Sequence, residues 1–282
     1  MSSSLSDPTP PVPPPLQSLK LSVEGDIAWI FLDHGKANEM GTAEVADFSS
    51  LAEWLEGAPV RSLVISSRRL SAKGTPIFIA GANVSERSDW STEKLRAHVR
   101  FQRETLARLR RVPVWVVAVV AGRALGWGTE LLLACDYRIA CPGSSFALPE
   151  TGLGILPGAG GSSELAALVG VHQALRLGMT GEALSDEEAV RIGLCDELAA
   201  DLDAGLRRAR SLGEQVSTRS PTAVAAYKQA VLWSVGQEAA ARREIEGRAY
   251  EHCVTSGEAA VGRRAFAGKT APVWGPFRPW LP

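Results

Sequence analysis

The sequence predicts an α/β fold: a sheet core covered by helices on both faces, followed by a helical C-terminal subdomain. Three observations predict it. Short apolar runs, too short for helices and ended by glycine, alternate with amphipathic helical stretches. Beyond Ser185 four helical stretches follow with almost no strand between them. The 282 residues, 45% hydrophobic and 22% charged, have an ordinary globular composition and suffice for a large core. The expected organisation is a Pro-rich tail over 1–16, the α/β core over 17–200 and the helical subdomain over 201–282.

Taken in order, the tail MSSSLSDPTPPVPPP has the composition of a disordered or polyproline-like segment. Leu19, Leu21 and Val23 alternate with polar residues, Gly25-Asp26 turns the chain, and Ala28 to Leu32 supplies the partner strand of a hairpin. Val45, Phe48, Leu51 and Leu55 recur at helical spacing over Thr42 to Leu55, and Gly57 suits the helix end. Short strands are expected at Arg61 to Ser66 and Pro76 to Ala80, the second running into Gly81-Ala82-Asn83. A long amphipathic helix fills Thr92 to Arg110; Pro113 stops it and the strand Val114 to Val120 begins. A Gly-broken turn and a short apolar helix come next. The C-terminal helices are expected at Ser185 to Ile192, capped by Ser185, and at Ala204 to Val216, Pro221 to Val235 and Gln237 to Cys253.

A net charge of -1 offers no electrostatic reason for a nucleic acid or an anionic membrane as partner. Arg108, Arg110 and Arg111 read as the solvated end of a helix. No apolar run reaches the roughly 18 residues of a membrane span, and the N-terminal stretch lacks the basic and apolar regions of a secretory signal. The cysteines at 135, 141, 195 and 253 form no CxxC pair, which points to a reducing compartment and no structural disulfide; the expected location is the cytoplasm. His34, His98, His172 and His252 show no metal-ligand spacing, so no metal is expected.

Chemistry is most legible between Val112 and Gly161. The short apolar helix carries one acid, Glu130, and a second, Glu150, ends another apolar segment about twenty residues on. Burying a carboxylate is unfavourable, so two in apolar surroundings suggest acid–base work. The bland alternatives are a helix N-terminal carboxylate for Glu130 and a solvated turn residue for Glu150. Gly158-Ala159-Gly160-Gly161 lacks the lysine and spacing of a phosphate loop and reads as close packing at a helix start.

Six segments, in order, resemble those of the crotonase superfamily, the enoyl-CoA hydratase/isomerase family. They are KANEM (36–40), FIAGAN (78–83), GRALGWGTELLLACDYRIA, FALPETGLGILPGAGG, GEALSDEEAVRIGLCDEL and GRRAFAGKTAPVW (262–274), spread over roughly residues 17–275. The resemblance implies a crotonase fold with a repeated ββα spiral core. It implies an enzyme that works through an enolate of an acyl thioester, carried by coenzyme A or a carrier protein, with CoA as part of the substrate and no prosthetic group. It further implies a homotrimer or hexamer whose helical C-terminal part covers the CoA and joins subunits.

Residue by residue, the resemblance makes Glu130 the base on the water that adds at the β-carbon, and Glu150 the donor of a proton to the α-carbon. The backbone N–H groups of Ala82 and Trp127 become the oxyanion donors, with Ala80, Gly81, Asn83 and Gly126 around the thioester. Lys36 and Ala37 lie in the loop that wraps CoA, and Phe266 and Lys269 on the terminal helix that meets it, often that of a neighbouring subunit. Both acids together favour hydration; isomerisation, decarboxylation or another lyase reaction through the same enolate is the rival, and a non-catalytic scaffold of the same fold is the rival from another class. The chain departs from the pattern in three places. Trp127 stands at a usual glycine, where its indole either fills part of the acyl pocket or points outward. The 36–40 loop is short, and Glu164, read as a surface difference, stands where many relatives carry arginine.

Overall fold

The structure, a computed structural model, describes residues 11–280, so the first ten residues of the predicted tail lie outside the described residues. The strands β1 (Leu19–Glu24) and β2 (Ile27–Leu32) form the predicted hairpin, with Leu19 opposite Leu32. Then come α1 (Thr42–Leu55), β3 (Ser62–Ser67), β4 (Ile77–Ile79), α2 (Thr92–Arg111), β5 (Trp115–Val120), β6 (Arg123–Leu125) and α3 (Trp127–Leu133). They are followed by β7 (Tyr137–Ala140), β8 (Ser145–Ala147), α4 (Ser163–Val169), α5 (Val171–Thr180), β9 (Leu184–Ser185), α6 (Asp186–Arg191) and β10 (Glu197–Leu198). The chain ends in α7 (Leu202–Ser217), α8 (Pro221–Ser234), α9 (Ala239–Thr255) and α10 (Glu258–Gly268).

Two sheets result, in strand orders β1-β2-β3-β5-β7-β10 and β4-β6-β8-β9. From β2 to β10 the first sheet is parallel; in the second, β4, β6 and β8 are parallel and β9 is antiparallel. After the hairpin, the pairs β3/β4, β5/β6 and β7/β8 each give one strand to each sheet, so the chain must turn sharply between the two. At Gly122, between β5 and β6, φ is +87° and a Cβ would lie 1.9 Å from the Pro76 carbonyl oxygen, so no other residue fits.

The main core lies between the first sheet and helices α1 to α3, around Phe48, Leu51, Leu63, Leu106, Leu109 and Val116. The sheet's other face is covered by α7, whose Leu206 and Ala209 pack on Ile27, Trp29, Val64, Val117 and Val119. That corrects the expected boundary at 200/201: α7 belongs to the core, and the outer helical part begins at α8. The sequence shows that α7 is amphipathic but not which surface its apolar face meets. The outer helices have a small cluster of their own, Ala226, Ala249 and Trp280, with Trp233 beside it. They are tied to the core by Lys228, whose Nζ donates to Asp136 at 2.7 Å and to the Val114 carbonyl at 2.9 Å.

The described end of the tail also departs from the expected loose segment. The Pro11 carbonyl accepts from Trp54 Nε1 at 3.0 Å, and buried Asp47 takes the N–H groups of Gln17, Ser18 and Leu19. The segment 262–274, expected as a helix, is helical only to Gly268; Lys269 adopts a left-handed conformation (φ 51°) and ends it.

Candidate active site

Gly126 opens α3 with φ 53° and ψ -117°, a conformation that side chains disfavour. One turn on, Glu130 is only 4% exposed. Its Oε1 accepts the N–H groups of Ala159 at 2.6 Å and Gly161 at 3.0 Å. Burial raises its pKa, against the pull of those two N–H groups and of the Arg103 charge. The segment 158–161 is therefore more than close packing: it supplies the donors that hold a buried carboxylate. Nothing but the density of small residues signalled this in the sequence, because the donors are backbone groups.

Glu150 lies in a 3-10 turn, Pro149–Leu153, and is half-buried. Burial pushes its carboxyl up to about 7, with a hydrogen bond to its own backbone N–H pulling the other way and the Glu130 charge adding to the rise. A Cβ at Gly126 would lie 2.8 Å from its Oε1. Glycine is thus required at the turn both for φ and for the approach of the acid. The other oxygen, Oε2, is buried without a protein partner. A carboxyl group that ionises near neutrality can hold or release a proton at working pH.

The two expected N–H donors come from the ends of neighbouring parallel strands, β4 and β6. Met40 donates to the Gly81 carbonyl at 2.9 Å and accepts from Asn83 N at 2.8 Å. In such a parallel bridge, the N–H of the intervening Ala82 points away from Met40. Trp127 is the first residue of α3, where an N–H has no acceptor within the helix. A Cβ at Gly126 would lie 3.9 Å from the Cα of Gly81, so the two turns are in contact.

Around this centre, Ala80 N donates to the Ala37 carbonyl at 3.1 Å, which fastens the 36–40 loop to the end of β4. Buried Asn38 sits in the same loop with φ 52°. Its Nδ2 donates to Ser67 Oγ and to the Phe78 carbonyl, and its Oδ1 accepts from His34 N. It pins the loop. Asn83 Oδ1 accepts from Glu86 N at 3.2 Å, and Lys36 is exposed. Neither Phe266 nor Lys269 lines the cavity beside Glu130; α10 packs on α9, and Phe266 stands 89% exposed rather than packed.

Three expectations are corrected. The Trp127 indole neither narrows that cavity nor points outward: it is 2% exposed and packs inward on Phe48, with ring centroids 5.4 Å apart. Glu164 is not a plain surface residue but forms an ion pair with Arg110. The arginine cluster divides accordingly: Arg108 pairs with Glu56 on the surface, while Arg110 turns inward. Among the described residues no group of three or more His, Cys, Asp or Glu is placed to hold a metal, and no helix is long and apolar enough to cross a membrane. All four cysteines are free thiols.

Residues 27–276 match the family model described as enoyl-CoA hydratase/isomerase. The chain is 34% identical over 239 residues to the human mitochondrial enoyl-CoA hydratase domain-containing protein 2, covering 83% of this chain and 80% of that one. It is 29% identical over 255 residues to a short-chain-enoyl-CoA hydratase of Clostridium acetobutylicum, covering 90% and 96%. The crystal structure of an enoyl-CoA hydratase from Bacillus anthracis superposes with a TM-score of 0.84 at 30% identity, covering 92% of this chain and 99% of that one. With both acids and both glycine turns in one place on that fold, the chain belongs to the enoyl-CoA hydratase/isomerase family, on a crotonase fold.

Proposed function

We propose that the protein adds water across the double bond of a 2-enoyl-CoA thioester. The observation that carries this reading is the meeting at one turn of a buried and a half-buried acid whose partners differ. Glu130 is held by two N–H groups that favour its ionised form; Glu150 has an unpartnered oxygen and a pKa of about 7. The thioester oxygen would sit between the N–H groups of Ala82 and Trp127. Ionised Glu130 would take a proton from water as its oxygen bonds to the β-carbon. The π electrons move to the thioester oxygen as an enolate, which the two donors stabilise. Protonated Glu150 would then give its proton to the α-carbon, and the proton held by Glu130 passes back to restore the pair. Isomerisation needs only one acid to move a proton between two carbons, so the second acid favours hydration.

In the same reading Lys36, Ala37, Ala80, Gly81, Asn83 and Gly126 surround the thioester and the adjoining part of CoA, and Phe266 and Lys269 meet CoA from a neighbouring subunit. The exposure of Phe266, which leaves its ring available to a neighbouring subunit, supports this. A homotrimer or hexamer is the assembly proposed, the outer helices covering CoA and joining subunits, and the cytoplasm is the location proposed. The test is a panel of 2-enoyl-CoA and carrier-protein thioesters, followed by loss of the conjugated-enone absorbance and by product mass. A gain of 18 mass units supports hydration; an unchanged mass with a moved double bond overturns it in favour of isomerisation; no turnover of any thioester favours a binding protein.

A further inference from the structure

A cavity of about 550 Å³ opens beside Glu130, between α2, the 156–162 loop, the start of α4 and the end of α8. Its volume is that of a small-ligand site. Leu106, Leu133 and Trp233 make part of its wall apolar, but three arginines of α2 also line it: Arg103, Arg110 and Arg111. Arg110 is neutralised by Glu164. Arg103 and Arg111 have no carboxylate partner among the described residues. Arg103 is fixed by one bond, from Nε to the Gly158 carbonyl at 2.9 Å, which leaves its two Nη groups as a fork. Its charge already acts on Glu130. Arg103 and Arg111 are both exposed to solvent at the cavity, so an acyl chain reaching past Glu130 would have apolar wall and an unneutralised, solvent-facing guanidinium within the same cavity.

We infer that the acyl group of the substrate ends in a carboxylate, which Arg103 receives in a two-pronged contact, with Arg111 adding charge at the rim. The planar fork of a guanidinium matches a carboxylate in this way, and a neutral alkyl end would leave the fork unpaired. The inference rests on the reading of the Glu130 site as the thioester site, and it deepens that reading by naming the substrate class.

The test compares ligands of equal length with and without the terminal carboxylate. Binding of the unreactive saturated thioesters, hexanedioyl-CoA and hexanoyl-CoA, is measured by calorimetry on the full chain, so that the result does not depend on turnover. Tighter binding of hexanedioyl-CoA by at least about tenfold is expected, with Arg103→Gln removing most of that ratio and Arg103→Lys restoring part of it. The ratio is the readout because Arg103 also holds the Gly158 loop, and loss of loop order would weaken both ligands alike. Equal binding of the two by the natural protein, or an unchanged ratio in Arg103→Gln, overturns the inference. Hydration of the corresponding 2-enoyl thioesters is then followed separately. Discrimination in binding without hydration of either would sink the hydratase reading and leave the carboxylate site standing; hydration without discrimination would do the reverse.

Discussion

Burial pushes the Glu150 carboxyl from its ordinary 4.5 up to about 7, so folding favours its neutral form. That contribution to stability is complete below about 4.5 and is lost as the pH rises through about 7. Glu150→Gln cannot ionise. Its melting temperature relative to the natural protein should therefore rise between pH 5 and pH 8; a constant difference across that range would show that Glu150 is not held neutral. If Glu150 supplies the proton, turnover should fall as the pH passes through about 7, a value that belongs to the acid pair rather than to one residue. Glu130→Gln and Glu150→Gln should each lower kcat by roughly 10²–10⁴-fold with the fold intact, as checked by circular dichroism. Near-normal activity in either variant would remove that acid from the mechanism. Trp127 belongs to a different kind of argument. Its N–H is a backbone group, while its indole packs on Phe48 in the core. Trp127→Gly should lower stability by about 3–5 kcal/mol and leave acyl chain-length preference unchanged. A changed preference would mean that the indole reaches the substrate after all.

Between elements, the ion pair of Lys228 and Asp136 joins α8 to the turn before β7. Lys228 is buried and Asp136 largely so, and Asp136 also accepts from Val116 N at 2.8 Å. Removing one partner leaves an uncompensated buried charge. Lys228→Ala should thus destabilise by about 3–5 kcal/mol. Chemical denaturation would read the loss, and proteolysis should then cut first at the α7–α8 junction. A loss within experimental error would mean that water replaces the ammonium. α7 differs from α8 in what it covers. It lies directly on the first sheet, so trimming the chain after α7 exposes less core than trimming before it.

For the whole molecule, exposed apolar side chains mark two helix surfaces outside the Glu130 cavity. Val171, Leu175 and Met179 mark one on α5; Tyr227 and Val231 mark another on α8. Light scattering should give three or six times the 30.0 kDa of one chain. A stable monomer at micromolar concentration would contradict that assembly, and would leave Phe266 without the role of meeting a neighbour's CoA.

Periodicity and punctuation, which are local properties, were enough to read the hairpin, α1, α2, β5 and the helices α6 to α9 to within a residue or two, but not α10. The order of six motifs was enough to identify the family. The two-residue strands β9 and β10 and the separate helices α4 and α5 were not legible, because segments so short owe their form to the neighbours they pair with. The acids themselves could be picked out of the sequence, since a carboxylate in an apolar helix is conspicuous. Their states could not. That Ala159 and Gly161 hold Glu130, that Glu150 presses on Gly126, and that Arg110 rather than solvent meets Glu164 all depend on residues 24 to 54 positions apart in the chain being brought together. Sequence determines which side chains are available and which face of each helix is apolar. Only the tertiary structure decides which charges are desolvated, which backbone N–H groups are left without acceptors, and whether an indole such as that of Trp127 faces a ligand or the core, because each of these is set by what packs against the group from elsewhere in the fold.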